Sequence, residues 1–298
     1  MNTYTTIYTM ADSQLIWTPA PFPLTATPDL YWLPSMLQCL ISLAVSNERI
    51  AMLNVEHTKK IYTKKLFMFI RALVPRLATE REVSMPATAS QDICTALMAN
   101  KSVINEPLNL LDSLPKMIRA LNNDDLAAEF ELSYERMPVS CPICLHADNN
   151  PVRHNILLVD MPHSATNFAA AIAAWPHILA DYQCAACGFQ GANVAQYVLK
   201  RALNIITVAL PRYTAREFPA QFILPTRSGD RLYCLKAILL SNGPRTRWET
   251  RAICRRADST EGADIWYLFE DDRAPVPIEF NITDYYENGY ILFYEWQH

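Results

Sequence analysis

Glycine is scarce in this chain: six of its 298 residues are glycine, and the first of them is Gly188. Neither G-x-G-x-x-G nor G-x-x-x-x-G-K-[ST] can be written, which excludes the glycine-rich loops that hold nucleotide phosphates. No apolar run approaches the ~20 residues of a membrane-spanning helix. The N-terminus also lacks a basic segment followed by an apolar one, so the sequence predicts no secretory signal and an intracellular protein, in the nucleus or the cytoplasm.

Neither sign of charge is in large excess. The 26 basic and 30 acidic side chains give a formal net charge of −4, so the chain as a whole has no electrostatic reason to bind nucleic acid or an anionic membrane. Hydrophobic residues make up 51% of the chain, which is enough to bury a core in one large domain or two small ones. Disorder is therefore excluded as a class.

The chain has eight cysteines, which in an intracellular protein are expected to be thiols or metal ligands rather than disulfides. Cys141 and Cys144 form one C-x-x-C pair, and Cys184 and Cys187 form a second. Four thiolates on two tight turns match the tetrahedral preference of zinc, so we predict one structural zinc site. The alternative is two unrelated pairs of buried thiols. Four histidines near or between the pairs are expected to face solvent: His146, His154, His163 and His177.

Hydrophobic periodicity predicts helices in the first half of the chain and strands in the second. Residues 1–29, rich in proline and threonine, are expected to form an extended arm. Helices followed by antiparallel strands indicate an α+β protein. The predicted helices span 34–45, 58–73, 90–99 and 108–121, and the predicted strands span 154–161, 197–210 (one long strand or two short ones), 232–240, 249–255, 265–269 and 290–296.

Several short motifs follow one another along residues 24–295. The C-terminal ones are LYCLKAILLSNG at 232–243, WYLFEDD at 266–272 and GYILFYE at 289–295. Further upstream stand SMLQCL at 35–40 and YQCAAC at 182–187, the latter followed by LPRY at 210–213. Each resembles a motif of the ubiquitin-specific proteases. The three C-terminal segments resemble Y-x-L-x-A-V-x-x-H-x-G, W-x-x-F-D-D and A-Y-x-L-F-Y, respectively. SMLQCL resembles N-S-x-L-Q-x-L, YQCAAC resembles Y-x-C-x-x-C, and LPRY resembles L-x-R-F.

The resemblance implies a papain-like ubiquitin-specific-protease fold, with a helical thumb, zinc-ribbon β fingers and an antiparallel β palm. After the arm at 1–29, such a domain is expected over 30–298. Within it the thumb is predicted at about 30–135, the fingers at about 136–200 and the palm at about 201–298.

The positions that the family uses for catalysis carry other residues here. The resemblance places the nucleophilic cysteine's position on Tyr31 and the oxyanion-donating asparagine's position on Ala26. The histidine's position falls on Glu249, and no histidine lies anywhere between residues 178 and 297. The third position falls on Glu270, which is expected to cap a turn or to pair with Arg273. Because a tyrosine cannot replace a thiolate nucleophile, the sequence predicts a pseudoenzyme, that is, a pseudo-deubiquitinase.

Function by binding follows from this prediction, with two principal hypotheses. In the first, the domain is a scaffold subunit of a larger protein complex, as inactive family members in messenger-RNA deadenylation and the spliceosome suggest. In the second, it binds ubiquitin or a ubiquitin-like protein without cleaving it. Large aromatic side chains are candidate interface residues, with core packing as the equal alternative. They are Trp17, Tyr31, Trp32 and Trp248.

Two further alternatives have less support in the sequence. Residual thiol isopeptidase activity would need Cys39 as a displaced nucleophile, although its apolar helical context indicates a buried, inert thiol. Nucleic-acid binding would draw on the lysines at 59–65 and the arginines at 245–256, but net acidity and the lack of a recognised motif disfavour it.

Overall fold

The computed structural model describes residues 32–43, 114–115, 118, 124–162, 167–210, 216–226, 229–242, 249–257, 264–270 and 273–297. Within these ranges lie the helices α1 (Trp32–Ile41), α2 (Asp124–Phe130) and α3 (Phe168–Ala173), and a 3-10 turn at Ile282–Tyr285. The strands are β1 (Leu132–Arg136), β2 (Val139–Ser140), β3 (Ala147–Asp148), β4 (Arg153–Ile156), β5 (Val159–Asp160), β6 (Ala174–Gln183), β7 (Gln190–Arg201), β8 (Ile205–Ala209), β9 (Gln221–Thr226), β10 (Gly229–Asn242), β11 (Glu249–Ala257), β12 (Asp264–Phe269), β13 (Val276–Ile278) and β14 (Gly289–Trp296).

Four strands form an antiparallel sheet in the order β4-β1-β7-β6, which we call the fingers sheet. Its longest strands, β6 and β7, pair from Ala174↔Val198 to Gln183↔Gln190, so the connection between them carries the second C-x-x-C pair to one end of the sheet. The first pair lies in the turn of the short hairpin β2–β3, which packs beside β7. The fold therefore brings both cysteine turns to the same end of the fingers sheet.

A second sheet, the palm sheet, contains eight strands in the order β13-β12-β11-β10-β14-β8-β5, with β9 pairing with the first part of β10. All neighbours are antiparallel except β5 and β8, which run parallel. One face of this sheet packs into the main hydrophobic core together with α3 and part of the fingers sheet. The strands predicted at 232–240, 249–255, 265–269 and 290–296 are confirmed as β10, β11, β12 and β14.

Helix α1 packs against β11 and β10 on the palm sheet. All ten of its residues are buried, which fits a helix that is apolar on most of its surface. Pro34 lies in the first turn, where a missing N–H removes no helical hydrogen bond. The hydroxyl of Ser35 donates to the carbonyl oxygen of Thr250 at 2.9 Å, which joins the start of the helix to the start of β11. The helix predicted at 34–45 thus begins two residues earlier than expected and ends at Ile41.

The prediction of one continuous strand at 154–161 is wrong. The chain forms β4 in the fingers sheet, bends at Leu157 and Leu158, and continues as β5 in the palm sheet. The hydroxyl of Thr207 on β8 donates to the carbonyl of Leu157 and fixes this crossing. A short local pattern cannot reveal such a change of sheet, because the change depends on the distant strands with which the two halves pair, β1 for β4 and β8 for β5. For 197–210 the two-strand alternative is confirmed by β7 and β8.

A helical thumb is not evident in the described residues. Between 30 and 135 they comprise α1, α2 and the start of β1, with three helical residues inside the predicted helix at 108–121: Leu114, Pro115 and Ile118. The predicted helices at 58–73 and 90–99, and the predicted arm at 1–29, lie outside the described residues. In the part of the chain that is described, no helix is both long and apolar enough to cross a membrane.

Candidate metal centre and the corner beside helix α1

The four predicted cysteine ligands meet at the end of the fingers sheet. Their sulfur atoms all lie within 4.8 Å of one another, with Cys141 Sγ 3.7 Å from Cys187 Sγ and Cys144 Sγ 3.6 Å from Cys184 Sγ. Four sulfurs about 2.3 Å from a tetrahedral zinc ion would stand about 3.8 Å apart, so the observed spacing fits zinc. The four cysteines form the site of one structural zinc, and because all four coordination positions are thiolates, none is left for a catalytic water.

The two C-x-x-C turns have matching backbone hydrogen bonds. In each turn, the N–H of the first cysteine donates to the carbonyl five residues later, at 2.9 Å. The residue after the second cysteine donates to the carbonyl of the first, at 3.0 Å. Each turn is therefore closed by its own backbone, which holds its two sulfurs on one side. The residues that make these bonds with Cys141 and Cys184 are His146 and Leu145 in the first turn, and Phe189 and Gly188 in the second.

The residue after the second cysteine has left-handed backbone in both turns. It is Gly188 in the second turn, with φ 72°, and Leu145 in the first, with φ 61°. Glycine adopts this conformation without steric cost, whereas a residue with a Cβ atom pays about 1–2 kcal/mol. Leu145 is also 77% exposed, so its side chain regains little of that cost by packing within the described structure.

Backbone hydrogen bonds favour the thiolate form of one ligand, Cys184. The backbone N–H of Cys187 lowers the pKa of the Cys184 thiol to about 6. Burial of this thiol acts in the opposite direction, and the N–H of Ala186 adds to the lowering. Beside the first turn, Arg136 Nη2 pairs with Asp148 Oδ2 at 2.6 Å. The pKa of Asp148 is lowered by the backbone N–H of Asn150 and further by Arg136, so this carboxylate stays ionised and neutralised by its partner.

The histidines near the cysteines are not ligands in the described part of the chain. His146 and His154 are exposed, as expected, and the ring of His154 makes an edge-to-face contact with Tyr197 at 4.9 Å between centroids. The side chains of His163 and His177 lie outside the described residues.

The corner where α1 meets the first residues of β11 and the end of β12 contains the second predicted site. Glu270 follows β12 and accepts two hydrogen bonds, from Arg251 Nη1 to Oε1 at 2.9 Å and from Arg273 Nη1 to Oε2 at 3.1 Å. The Arg251 hydrogen bond, opposed by burial and aided by Arg273, lowers the pKa of Glu270. The predicted pairing with Arg273 is confirmed, and Arg251 is a partner that the sequence did not single out.

The strand register explains why Arg251 reaches Glu270. Ala252 on β11 pairs with Phe269 on the antiparallel strand β12. Arg251, which precedes Ala252, therefore lies beside Glu270, which follows Phe269. Glu249, which the family resemblance puts at the histidine position, opens β11 two residues earlier, and its side chain lies outside the described residues. Ala26, Tyr31, Trp17 and Trp248 also lie outside them. Trp32 is 8% exposed in α1, which favours core packing over an interface for this residue.

Arg256 does not belong to an exposed basic surface, contrary to the nucleic-acid interpretation. Its side chain is fully buried beneath α1, where Nη2 donates to the backbone oxygen of Gln38 at 2.9 Å and to Gln38 Oε1 at 3.0 Å. The guanidinium carbon lies 5.4 Å from the centre of the Phe269 ring. Among the described residues, its Nε and Nη1 have no hydrogen-bond partner. Arg256 thus ties α1 to β11 from inside the core.

Cys39 is a buried thiol, as its helical context indicated. Its side chain is fully buried between α1 and the palm sheet, and burial raises its pKa well above the usual value, with the neighbouring Cys254 adding to the shift. A thiol that resists ionisation is a poor nucleophile. Cys254 and Cys234 are buried as well, whereas Cys94 lies outside the described residues.

No family model and no curated protein matches the chain. The solved structures to which it is similar include those of the SAGA DUB module of Ubp8, Sgf11, Sus1 and Sgf73. The module bound to monoubiquitin has a TM-score of 0.64 at 18% identity, over 93% of this chain and 69% of that chain. The module bound to ubiquitin aldehyde has a TM-score of 0.66 at 17% identity, over 97% and 72% of the two chains. A yeast SAGA DUB module with a mutant Sgf73 has a TM-score of 0.60 at 17% identity, over 96% and 70%.

At these identities the likeness establishes the fold alone. The chain has a ubiquitin-specific-protease-like fold with a four-cysteine zinc site, and the predicted fold class is confirmed to this extent.

Proposed function

We propose that this chain is a non-catalytic ubiquitin-specific-protease-like domain that acts as a protein-interaction scaffold subunit of a larger complex. The observation that carries the proposal is the pairing of Glu270 with Arg251 and Arg273. In a thiol protease, an acidic or amide side chain orients an imidazole, and the imidazole takes the proton of the nucleophile. A guanidinium stays protonated and has no acceptor atom, so Arg251 cannot act as that base.

The distribution of cysteines supports the loss of catalysis. By resemblance, the nucleophile's position is Tyr31, which has no thiol. Of the seven cysteines in the described residues, four belong to the zinc centre and three are buried. The high pKa of Cys39 argues against a nucleophile displaced along α1.

A scaffold role is supported by what the chain retains. The zinc centre has all four ligands, and both sheets are complete enough to match a protease-like fold over more than nine tenths of this chain. Maintaining such a fold without a general base is expected where the fold serves as a binding surface. The similar solved structures are multi-protein modules, which supports a complex as the setting for this chain too.

Binding of ubiquitin without cleavage is the second candidate function. Two of the similar structures carry monoubiquitin or ubiquitin aldehyde, and this chain has the same fold at low identity. We call binding of ubiquitin without cleavage the reader role. The scaffold role and the reader role predict different proteins bound to the chain in its native cells.

Isolation of the tagged full chain from its native cells, with crosslinking and quantitative mass spectrometry, distinguishes the two candidates. The scaffold role predicts a small set of proteins in constant ratio to the chain and little ubiquitin. The reader role predicts that ubiquitin or its conjugates dominate and that ubiquitin with a shortened tail competes for binding. As a control, Cys184→Ser should release any partner that is held by the fingers. Recovery of the chain alone would contradict both candidates.

A further inference from the structure

Exposed apolar side chains are concentrated in the fingers. Six large hydrophobic side chains are exposed among the described residues, and four of them lie between residues 137 and 194. The two most exposed are Leu145, at 77%, and Ile143, at 67%, and both lie in the first cysteine turn. We call Ile143 and Leu145 the knuckle patch. The other two are Met137 and Val194.

The knuckle patch is held in place at a cost. Leu145 has left-handed backbone where the matching turn has Gly188, and its side chain points largely into solvent. The N–H of Leu145 is bonded to the carbonyl of Cys141, and Cys144 beside it is a zinc ligand. The backbone is therefore held in place, and the side chain projects from a fixed position in the turn. Preorganised apolar groups lose little entropy when they are bound, so they suit a contact with another protein.

The metal centre beside the knuckle patch is negative when it holds zinc. A zinc ion with four thiolates carries a net charge of about −2. Asp181, three residues before Cys184, is exposed, whereas the charge of Asp148 is neutralised by Arg136 at 2.6 Å. Between residues 120 and 199 there is no lysine, and of the two arginines Arg136 is paired with Asp148 and Arg153 is exposed on β4.

We infer that the knuckle patch is a docking surface for a protein partner that presents an apolar pocket bordered by lysine or arginine side chains. A pocket fits better than a flat surface, because Leu145 projects from a narrow turn. Basic residues at its border complement the charge of the zinc centre. This inference rests on the proposed function, since it names how the scaffold holds one of its partners.

The first stage of the test uses the full chain in its native cells, with a photo-crosslinking amino acid at position 145. The matched control carries the same amino acid at position 223, because Ile223 is 55% exposed on β9 of the palm sheet. The inference predicts one discrete adduct from 145 that is absent from 223. The linked segment of the partner should be apolar and flanked by basic residues.

The second stage uses the purified protein identified from that adduct, titrated against the zinc-loaded chain. Leu145→Gly is expected to weaken binding roughly tenfold or more, as for a side chain that fills a pocket. Glycine accepts the left-handed backbone, so this variant should keep its zinc, which metal analysis checks. Ile143→Ser should also weaken binding, and Ile223→Ser should leave it unchanged. Binding should weaken as salt is raised.

Several outcomes overturn the inference: no adduct from 145, equal adducts from both positions, ubiquitin as the linked protein, or unchanged affinity of the Leu145→Gly variant. If a stoichiometric complex still forms without a contact at 145, the inference fails and the scaffold role stands. If no stoichiometric partner accompanies the chain at all, the scaffold role itself fails.

Discussion

The metal centre of the fingers and the corner beside α1 differ in the interactions that hold them together. At the metal centre, every ligand atom is present, and opposite sulfurs stand 3.6 and 3.7 Å apart, as zinc requires. At the corner, the helix and strands are in place, but Glu270 is bound by arginines, with Arg251 at 2.9 Å. Zinc stabilises the fold at the fingers, and the ion pairs of Glu270 stabilise the corner. The comparison indicates that a metal holds one end of this fold and ion pairs hold the other.

The largest expected effect comes from opening the metal centre. Removal of zinc by a chelator, or the change Cys184→Ser, should unfold the end of the fingers sheet, because structural zinc sites contribute roughly 10 kcal/mol or more to folding. Hydrogen exchange should then lose protection in β6 and β7 and keep it in β10 and β14. His146→Ser, at an exposed position in the same turn, should retain zinc. Protection in β6 that survives chelation would contradict the structural role of the metal.

A smaller effect is expected from the buried arginine at the corner. Arg256→Ala should lower the free energy of unfolding by about 3 kcal/mol, because both hydrogen bonds from Arg256 to Gln38 are lost and a cavity forms under α1. Urea denaturation measures this value. Arg255→Ala, at the half-buried neighbouring position, should cost less than about 1 kcal/mol. Equal costs for the two variants would show that Arg256 does not tie α1 to the sheet.

The sequence predicted the metal centre better than the corner, for a physical reason. Two C-x-x-C turns form a local pattern with specific chemistry, so Cys141 and Cys187 could be assigned to one site without knowing the fold. The pairing of Arg251 with Glu270 depends on the register of β11 and β12, which no local pattern reveals. Likewise Arg256 was grouped with nearby arginines, although its place in the strand directs it under α1.

The two cysteine turns themselves allow a matched pair of variants. Leu145→Gly should relieve left-handed strain and raise the stability of the zinc-bound fingers by up to about 1 kcal/mol, and Gly188→Ala should lower it by a similar amount. No atom lies within 4 Å of the Cβ that Gly188→Ala would add, so backbone strain alone is measured there. Zinc affinity in competition with a chelator reports both changes. Effects of the same sign would contradict the strain argument.

The smallest effect concerns pH at the corner. The pKa of Glu270 is lowered in the folded state, so its ion pairs stabilise the protein above the unfolded pKa of about 4.3. This stabilisation is lost as the pH falls through the lower, folded pKa. For a half-buried pair the gain is less than about 1 kcal/mol. The free energy of unfolding of the native chain and of Glu270→Gln can be measured by chemical denaturation from neutral to acidic pH. Plotted against pH, the two free energies should converge at low pH. A difference between the two free energies that does not change with pH would show that Glu270 contributes no such stability.

Hydrolysis of a fluorogenic ubiquitin C-terminal amide by the purified, zinc-loaded full chain tests the loss of catalysis most directly. If the proposed loss of catalysis is right, the rate equals that of buffer and does not change when the thiols are alkylated, because the positions matched to the family's nucleophile and base carry Tyr31 and Glu249. Turnover that grows with the concentration of the chain and disappears on alkylation would contradict it.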